Sequence, residues 1–188
     1  MTTARTSLIV VDMQNAFLAP SSGRPVGGEQ LVAEVNGWVA HAAHNDWPTF
    51  YTKDVAPGEY PPGDPDRQVE LVDGLDVRGV VVPKGPGRNK GFSGFVLTAA
   101  GVSDDEPGAG GLSPLAGHLR HAGVAAVVVI GVAADVCVSA TARDARRLGY
   151  DVTVPLAATA FVHANPDGDD AAVAALRAGG VTVTGTRP

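Results

Sequence analysis

One cysteine, Cys137, stands among 188 residues. A lone thiol excludes an internal disulfide, which suits a reducing compartment. Aromatic residues are scarce, at 5%, while glycine and alanine are abundant, so the helices are expected to pack closely through small side chains. Positive charge is also in deficit: 14 Lys and Arg face 20 Asp and Glu, for a net charge of −6. Without a basic stripe, nucleic acid and anionic membranes are not expected as partners. No apolar run is long enough to span a bilayer. Residues 1–7 lead straight into a strand with no signal-like apolar core, so a cytoplasmic protein is the expectation. No repeat and no linker interrupts the chain, which reads as one domain over residues 1–188.

What is present is ordinary for a globular protein: 45% hydrophobic and 18% charged residues. A chain of this length buries about 70% of its extended surface and needs no metal or disulfide staple. Residues 8–11 form a continuous apolar run ending at Asp12, the pattern of a central parallel strand covered on both faces. Leu31, Val32, Val35, Trp38, Val39 and Ala42 follow helical spacing from about Glu29. Residues 48–53 are a second strand ending at Asp54, and an irregular Pro- and Gly-rich stretch runs from there to Asp76. Residues 79–83 are a third strand, ending at Lys84.

The Gly-rich segment 85–111 is expected to hold a short helix opening at residues 92–95 and an acidic loop at 103–108. A helix over 112–122 is capped by Ser113, with Pro114 in its first turn. Strand 124–130 leads through a tight turn at Gly131 into helix 135–148, whose C-terminal half carries Arg143, Arg146 and Arg147. A fifth strand (151–154), a helix over 166–178 with Asp167, Asp169 and Asp170 in its first turn, and a sixth strand (181–184) complete the chain. Alternation of this kind predicts an α/β protein: a three-layer α/β/α sandwich around a six-stranded parallel sheet.

In a parallel sheet all strands end on one edge, where ligands bind near the point at which strand order reverses. Asp12, Lys84 and Cys137 each follow a strand, so topology alone delivers them to one cleft. Cys137 falls in the first turn of its helix, whose unpaired amides and dipole favour thiolate, as would the Lys84 ammonium. Asp12 is placed to accept the thiol proton and Lys84 to orient Asp12. The small residues from Gly131 to Ala134 allow backbone amides, those of Ala133 and Cys137, to approach an oxyanion. Such a set hydrolyses an amide through a thioester.

The run from Leu8 through Asp12, Met13, Gln14, Asn15, Ala16 to Phe17, then Lys84, Phe92-Ser93-Gly94-Phe95 and Gly131-Val132-Ala133-Ala134-Asp135-Val136-Cys137-Val138 resembles the isochorismatase-like cysteine hydrolase superfamily. Within it the likeness is closest to nicotinamidases (pyrazinamidases). It spans essentially the whole chain. The resemblance implies Asp12, Lys84 and Cys137 as a catalytic triad, a cis peptide at Val132–Ala133 that aims the Ala133 and Cys137 amides into an oxyanion hole, and Phe17 and Phe92 lining a flat apolar pocket. It also implies a small-molecule amide substrate and a homo-oligomer, dimer or tetramer.

The departures carry equal weight. Nicotinamidases typically follow strand two with an Asp and two histidines that hold a divalent metal. Asp54 fits the start of that pattern, but residues 55–60 carry no histidine. Asp54 and Glu59 alone are a poor cation site, so no metal and no cofactor is expected, and Asp54 is read as a pocket residue. The substrate is then nicotinamide-like or a related amide, or else a carbamoyl, ureido or lactam compound.

Other readings meet objections in the sequence. Isochorismatases, which cleave a vinyl ether, commonly lack the cysteine. His41, His44, His118 and His121 fall on or near helices remote from the strand ends. His163 follows strand five and could reach the cleft, either as a rival base for Cys137 or as a pocket residue. With Asp12 filling the base role in the resembling family, His163 is read as a pocket residue or a surface loop residue. Gly85 and Gly87 suggest a phosphate loop, but no Gly-Lys-Ser/Thr follows them.

Overall fold

The computed structural model describes residues 5–20, 26–87, 90–98 and 110–185. In order, the elements are β1 (Arg5–Val11), a single turn α1 (Asn15–Leu18), α2 (Glu29–His44), β2 (Thr49–Asp54), β3 (Val80–Lys84), β4 (Val96–Thr98) and β5 (Gly110–Leu112). They continue with α3 (Pro114–His121), β6 (Val124–Val132), a π-helical turn (Ala134–Val138), α4 (Ser139–Arg147), β7 (Asp151–Pro155), β8 (Thr159–Ala160), α5 (Asp169–Ala178) and β9 (Thr182–Thr184).

Six parallel strands run in the order β3-β2-β1-β6-β7-β9, and the two-residue β8 pairs with the end of β6 beyond the reach of β7. The expected sandwich is the observed one. Residues 8–11 are almost fully excluded from solvent, because β1 is central and both its faces are covered. Leu8 and Val10 pack with Val35, Val39 and Ala42 of α2 on one face. Ile9 and Val11 face the opposite way, into the layer that holds Leu115 and Leu119 of α3, Ala142 of α4 and Leu176 of α5. The period-two geometry of a strand makes this division automatic.

Strand order reverses between β1 and β6: from β1 the chain moves outward through β2 and β3, then returns to the other side of β1. The crevice beyond the ends of β1 and β6 is therefore the topological switch point.

Three local expectations are corrected. Residues 92–95 open no helix; a turn there leads into β4, which pairs antiparallel with β5. The helix expected from residue 135 begins instead as a π turn, with Val138 N–H reaching back five residues to the Ala133 carbonyl, and becomes α-helical only at Ser139. Helix α5 starts at Asp169, so Asp169 and Asp170 lie in its first turn and Asp167 precedes it. The acidic stretch 103–108 lies outside the described residues. Ser113 caps α3 as expected, accepting from Leu115 N–H, and its hydroxyl also donates to the Gly94 carbonyl. Gly94 N–H in turn donates to Thr141 Oγ1 on α4. The loop that carries Phe92 is thus fastened to two helices.

Candidate active site

Four strand ends meet at one edge. Lys84 closes β3 and Asp54 closes β2; Asp12 follows β1, and the π turn with Cys137 follows β6. Lys84, fully buried, is the hub. Its Nζ lies 2.7 Å from Asp12 Oδ2 and 3.8 Å from Asp54 Oδ2. It donates to Cys137 Sγ at 3.3 Å and to the Phe92 carbonyl at 2.9 Å. Residues separated by 53 positions in sequence are in direct contact.

Two residues that sequence reasoning missed hold this arrangement. Thr52 Oγ1 donates to Asp12 Oδ1 at 2.7 Å, so each carboxylate oxygen of Asp12 has its own partner, a hydroxyl on one side and an ammonium on the other. Gln14, fully buried, donates to the Asp54 carbonyl and accepts from Asp54 N–H. It thereby splices the loop after β1 to the end of β2. The available signal for Thr52 was a polar residue inside a buried strand, two positions before Asp54 and so on the same face. Asp12 itself adopts a left-handed backbone, φ 49°, which is uncommon for a side-chain-bearing residue. The Val132–Ala133 peptide is cis.

Electrostatics corrects the expected thiolate. Burial pushes the Cys137 thiol up, and the Asp12 carboxylate pushes it further; Lys84 opposes both and loses, leaving the thiol at about 12. Burial and the Asp12 carboxylate thus favour the protonated thiol over the thiolate. Burial works against the Lys84 ammonium, but Asp12, Cys137 and Asp54 together hold it above the usual lysine range. Asp54 is raised by burial, partly offset by Lys84 and two backbone amides.

A cavity of about 150 Å³ opens onto the thiol. Phe17, Val26, Phe92, Val136 and Val162 supply apolar walls, and among the described lining residues the ionisable ones are Cys137 and Asp54. Phe17 and Phe92 are therefore where the sequence places them.

His163 is not. It lines a second, more polar cavity beside Glu34 and Leu156, and its Nδ1 sits 2.8 Å from Asp169 Oδ2. The cause is local: His163 has a left-handed backbone, φ 58°, while its neighbour Val162 faces the first cavity. Val162 and Ala164 donate their amides to the Asp135 carboxylate, tying this loop to the π turn. His41, His44, His118 and His121 stay exposed; His41 meets Trp38 and Trp47 edge-on, and His118 stacks on Phe50.

The divalent-metal site of the resembling amidases does not fit the residues present. Both Asp54 oxygens already accept backbone amides, Oδ1 from Ala56 and Oδ2 from Gly87, each at 2.9 Å. The Lys84 ammonium is a cation already beside it. Glu59 is exposed, and among the described residues no group of three or more His, Cys, Asp or Glu is placed to hold a metal ion.

A parallel α/β/α sheet with Asp, Lys and Cys gathered at its switch point defines a class of hydrolase-like folds, and the comparisons name it. The isochorismatase domain family matches residues 6–188; the chain belongs to the isochorismatase family. It is 34% identical over 186 residues to the nicotinamidase/pyrazinamidase of Mycobacterium tuberculosis, covering 90% of this chain and 91% of the relative. Among solved structures it resembles the pyrazinamidase of Pyrococcus horikoshii in complex with zinc, at 26% identity and TM-score 0.74, over 97% of this chain and 99% of the other. It also resembles PnC1 of L. infantum in complex with nicotinate, at 30% identity and TM-score 0.71, over 96% and 92% of the two chains. Among the described residues no helix is long and apolar enough to cross a membrane.

Proposed function

We propose that this chain is a cysteine amidohydrolase that cleaves the C–N bond of a small amide, nicotinamide-like or related, through a thioester. The observation that carries the reading is one buried ammonium touching both a buried carboxylate and a thiol at the floor of an apolar cavity. The similarity to nicotinamidases supports it.

In this reading substrate enters between Phe17 and Phe92 with its carboxamide over Cys137. Asp12 takes the thiol proton as the sulfur attacks the carbonyl carbon, so the thiolate forms only when it is consumed. The oxyanion is received by the Ala133 and Cys137 amides. Collapse of the tetrahedral adduct breaks the C–N bond, with Asp12 returning its proton to the departing nitrogen as ammonia. Water then attacks the thioester with Asp12 again as base, giving the carboxylic acid and restoring the thiol. Lys84 remains charged throughout and holds Asp12 against the sulfur.

Ammonia release from nicotinamide, pyrazinamide, a ureide and a lactam tests the proposal. Silence across the panel, or release that survives Cys137→Ala, refutes it.

The protonated resting thiol gives a sharper check. Iodoacetamide should label Cys137 slowly at neutral pH and faster as pH rises toward 12. Asp12→Asn removes a negative charge that raises the thiol while leaving Lys84 in place. Labelling at pH 8–9 should therefore quicken while turnover falls by about 10²–10⁴. If turnover is unchanged in Asp12→Asn, Asp12 is not the base. Thr52→Val, nearly isosteric, should lower kcat by roughly tenfold with KM little changed, because one charge-assisted hydrogen bond to Asp12 is worth about 1.5 kcal/mol.

A further inference from the structure

Gly85 and Gly87, which fit no phosphate loop, have a different use. Gly85 has a left-handed backbone, φ 86°, and a Cβ there would stand 2.8 Å from Asp54 Oδ1; one on Gly87 would stand 3.2 Å from Asp54 Oδ2. The backbone of 85–87 is therefore wrapped against the carboxylate, closer than a side chain permits. With Gly87 and Ala56 donating from two sides and Gln14 pinning the main chain, Asp54 is fixed in one orientation while still lining the cavity. A carboxylate has about four acceptor positions, so a cradle that fills one on each oxygen leaves acceptor capacity for a ligand.

We propose that this chain works without a divalent ion and that Asp54 itself accepts a hydrogen bond from the substrate, a small flat amide bearing an N–H donor apart from its scissile bond. The proposal rests on the amidohydrolase reading and names its substrate class. Three observations support it. Among the described residues, the donor set beside Asp54 lacks the further ligands a metal needs. Asp54 is the carboxylate on an otherwise apolar wall, where a donor gains a charge-assisted bond and a bare acceptor atom meets repulsion. Lys84 Nζ lies within 3.8 Å of both Cys137 Sγ and Asp54 Oδ2, so a single small ring reaches both.

Pyrrole-3-carboxamide and furan-3-carboxamide are matched probes, alike in size, one offering a ring N–H and the other a ring oxygen. After treatment with dipicolinate and EDTA, the protein should retain no stoichiometric metal by elemental analysis. It should hydrolyse the pyrrole amide with little loss of rate, and prefer it over the furan amide by at least about tenfold in kcat/KM. The inactive Cys137→Ala chain should show the same preference in calorimetric binding. Asp54→Asn should narrow that preference, weakening binding of the pyrrole amide more than that of the furan amide.

Turnover that dies on chelation and returns with zinc, manganese or iron overturns the metal-free proposal. Equal binding of the two probes, or an Asp54→Asn loss of equal size for both, overturns the role of Asp54. Either result can occur with ammonia release intact, which separates this failure from failure of the amidohydrolase reading.

Discussion

Cys137→Ala is expected to remove turnover by roughly four to six orders of magnitude, as loss of a nucleophile does in enzymes whose catalytic groups act as a unit. Among the described residues lining the cavity nothing replaces the sulfur: Asp54 is held in its cradle, and the rest of the wall is apolar or backbone. Substrate binding should survive, because the walls are untouched. The loss is read as ammonia release under saturating amide.

The same variant carries a stability signature. The thiol is raised from an ordinary 9.0 to about 12 on folding. A group raised in this way contributes stability that is complete below its unfolded value and drains away as pH climbs toward its folded one. Wild-type stability should therefore decline from about pH 9, before Lys84 begins to titrate, and Cys137→Ala should lack that decline. Urea unfolding at pH 7, 9 and 10 measures it. An identical slope in the two chains would mean that the sulfur is not held as a buried thiol.

Lys84→Met should be the most damaging single change to the fold. It leaves Asp12 and Asp54 buried at 0% and 2% exposure with no counter-charge, and breaking a buried ion pair in this way costs about 3–5 kcal/mol. The deficit should shrink as pH falls, since burial already raises Asp54 and the loss of Lys84 removes the charge that opposes its protonation. Adding Asp12→Asn to Lys84→Met should recover part of the stability without recovering activity. That non-additivity separates an electrostatic hub from a merely well-packed lysine. Equilibrium unfolding of the two single variants and the double variant completes the cycle. Strict additivity would deny the coupling between the two residues.

The layers and the strand ends were legible before any coordinates because they depend on local patterns. A continuous apolar run such as 8–11 has nowhere to go except between two covering layers, and the spacing of Leu31, Val35, Val39 and Ala42 commits one face of α2 to the sheet. Parallel topology then forces Asp12, Lys84 and Cys137 to one edge. Pattern failed where conformation is set by long-range contact. Residues 92–95 turn into a strand because β5 is there to pair with β4. The cysteine helix opens as a π turn, and a positive φ sends His163 to Asp169 instead of the cavity.

By itself, then, the amino-acid order determined which groups share a crevice, since period and topology are properties of the chain alone. Only the folded arrangement decided their chemical state. Whether Cys137 holds its proton depends on how completely it is desolvated and on the balance between Asp12 and Lys84 around it. Whether Asp54 can take a metal depends on backbone amides from Ala56 and Gly87 that no spacing rule brings to it. Burial and the distances between charges arise from packing, and those quantities set protonation.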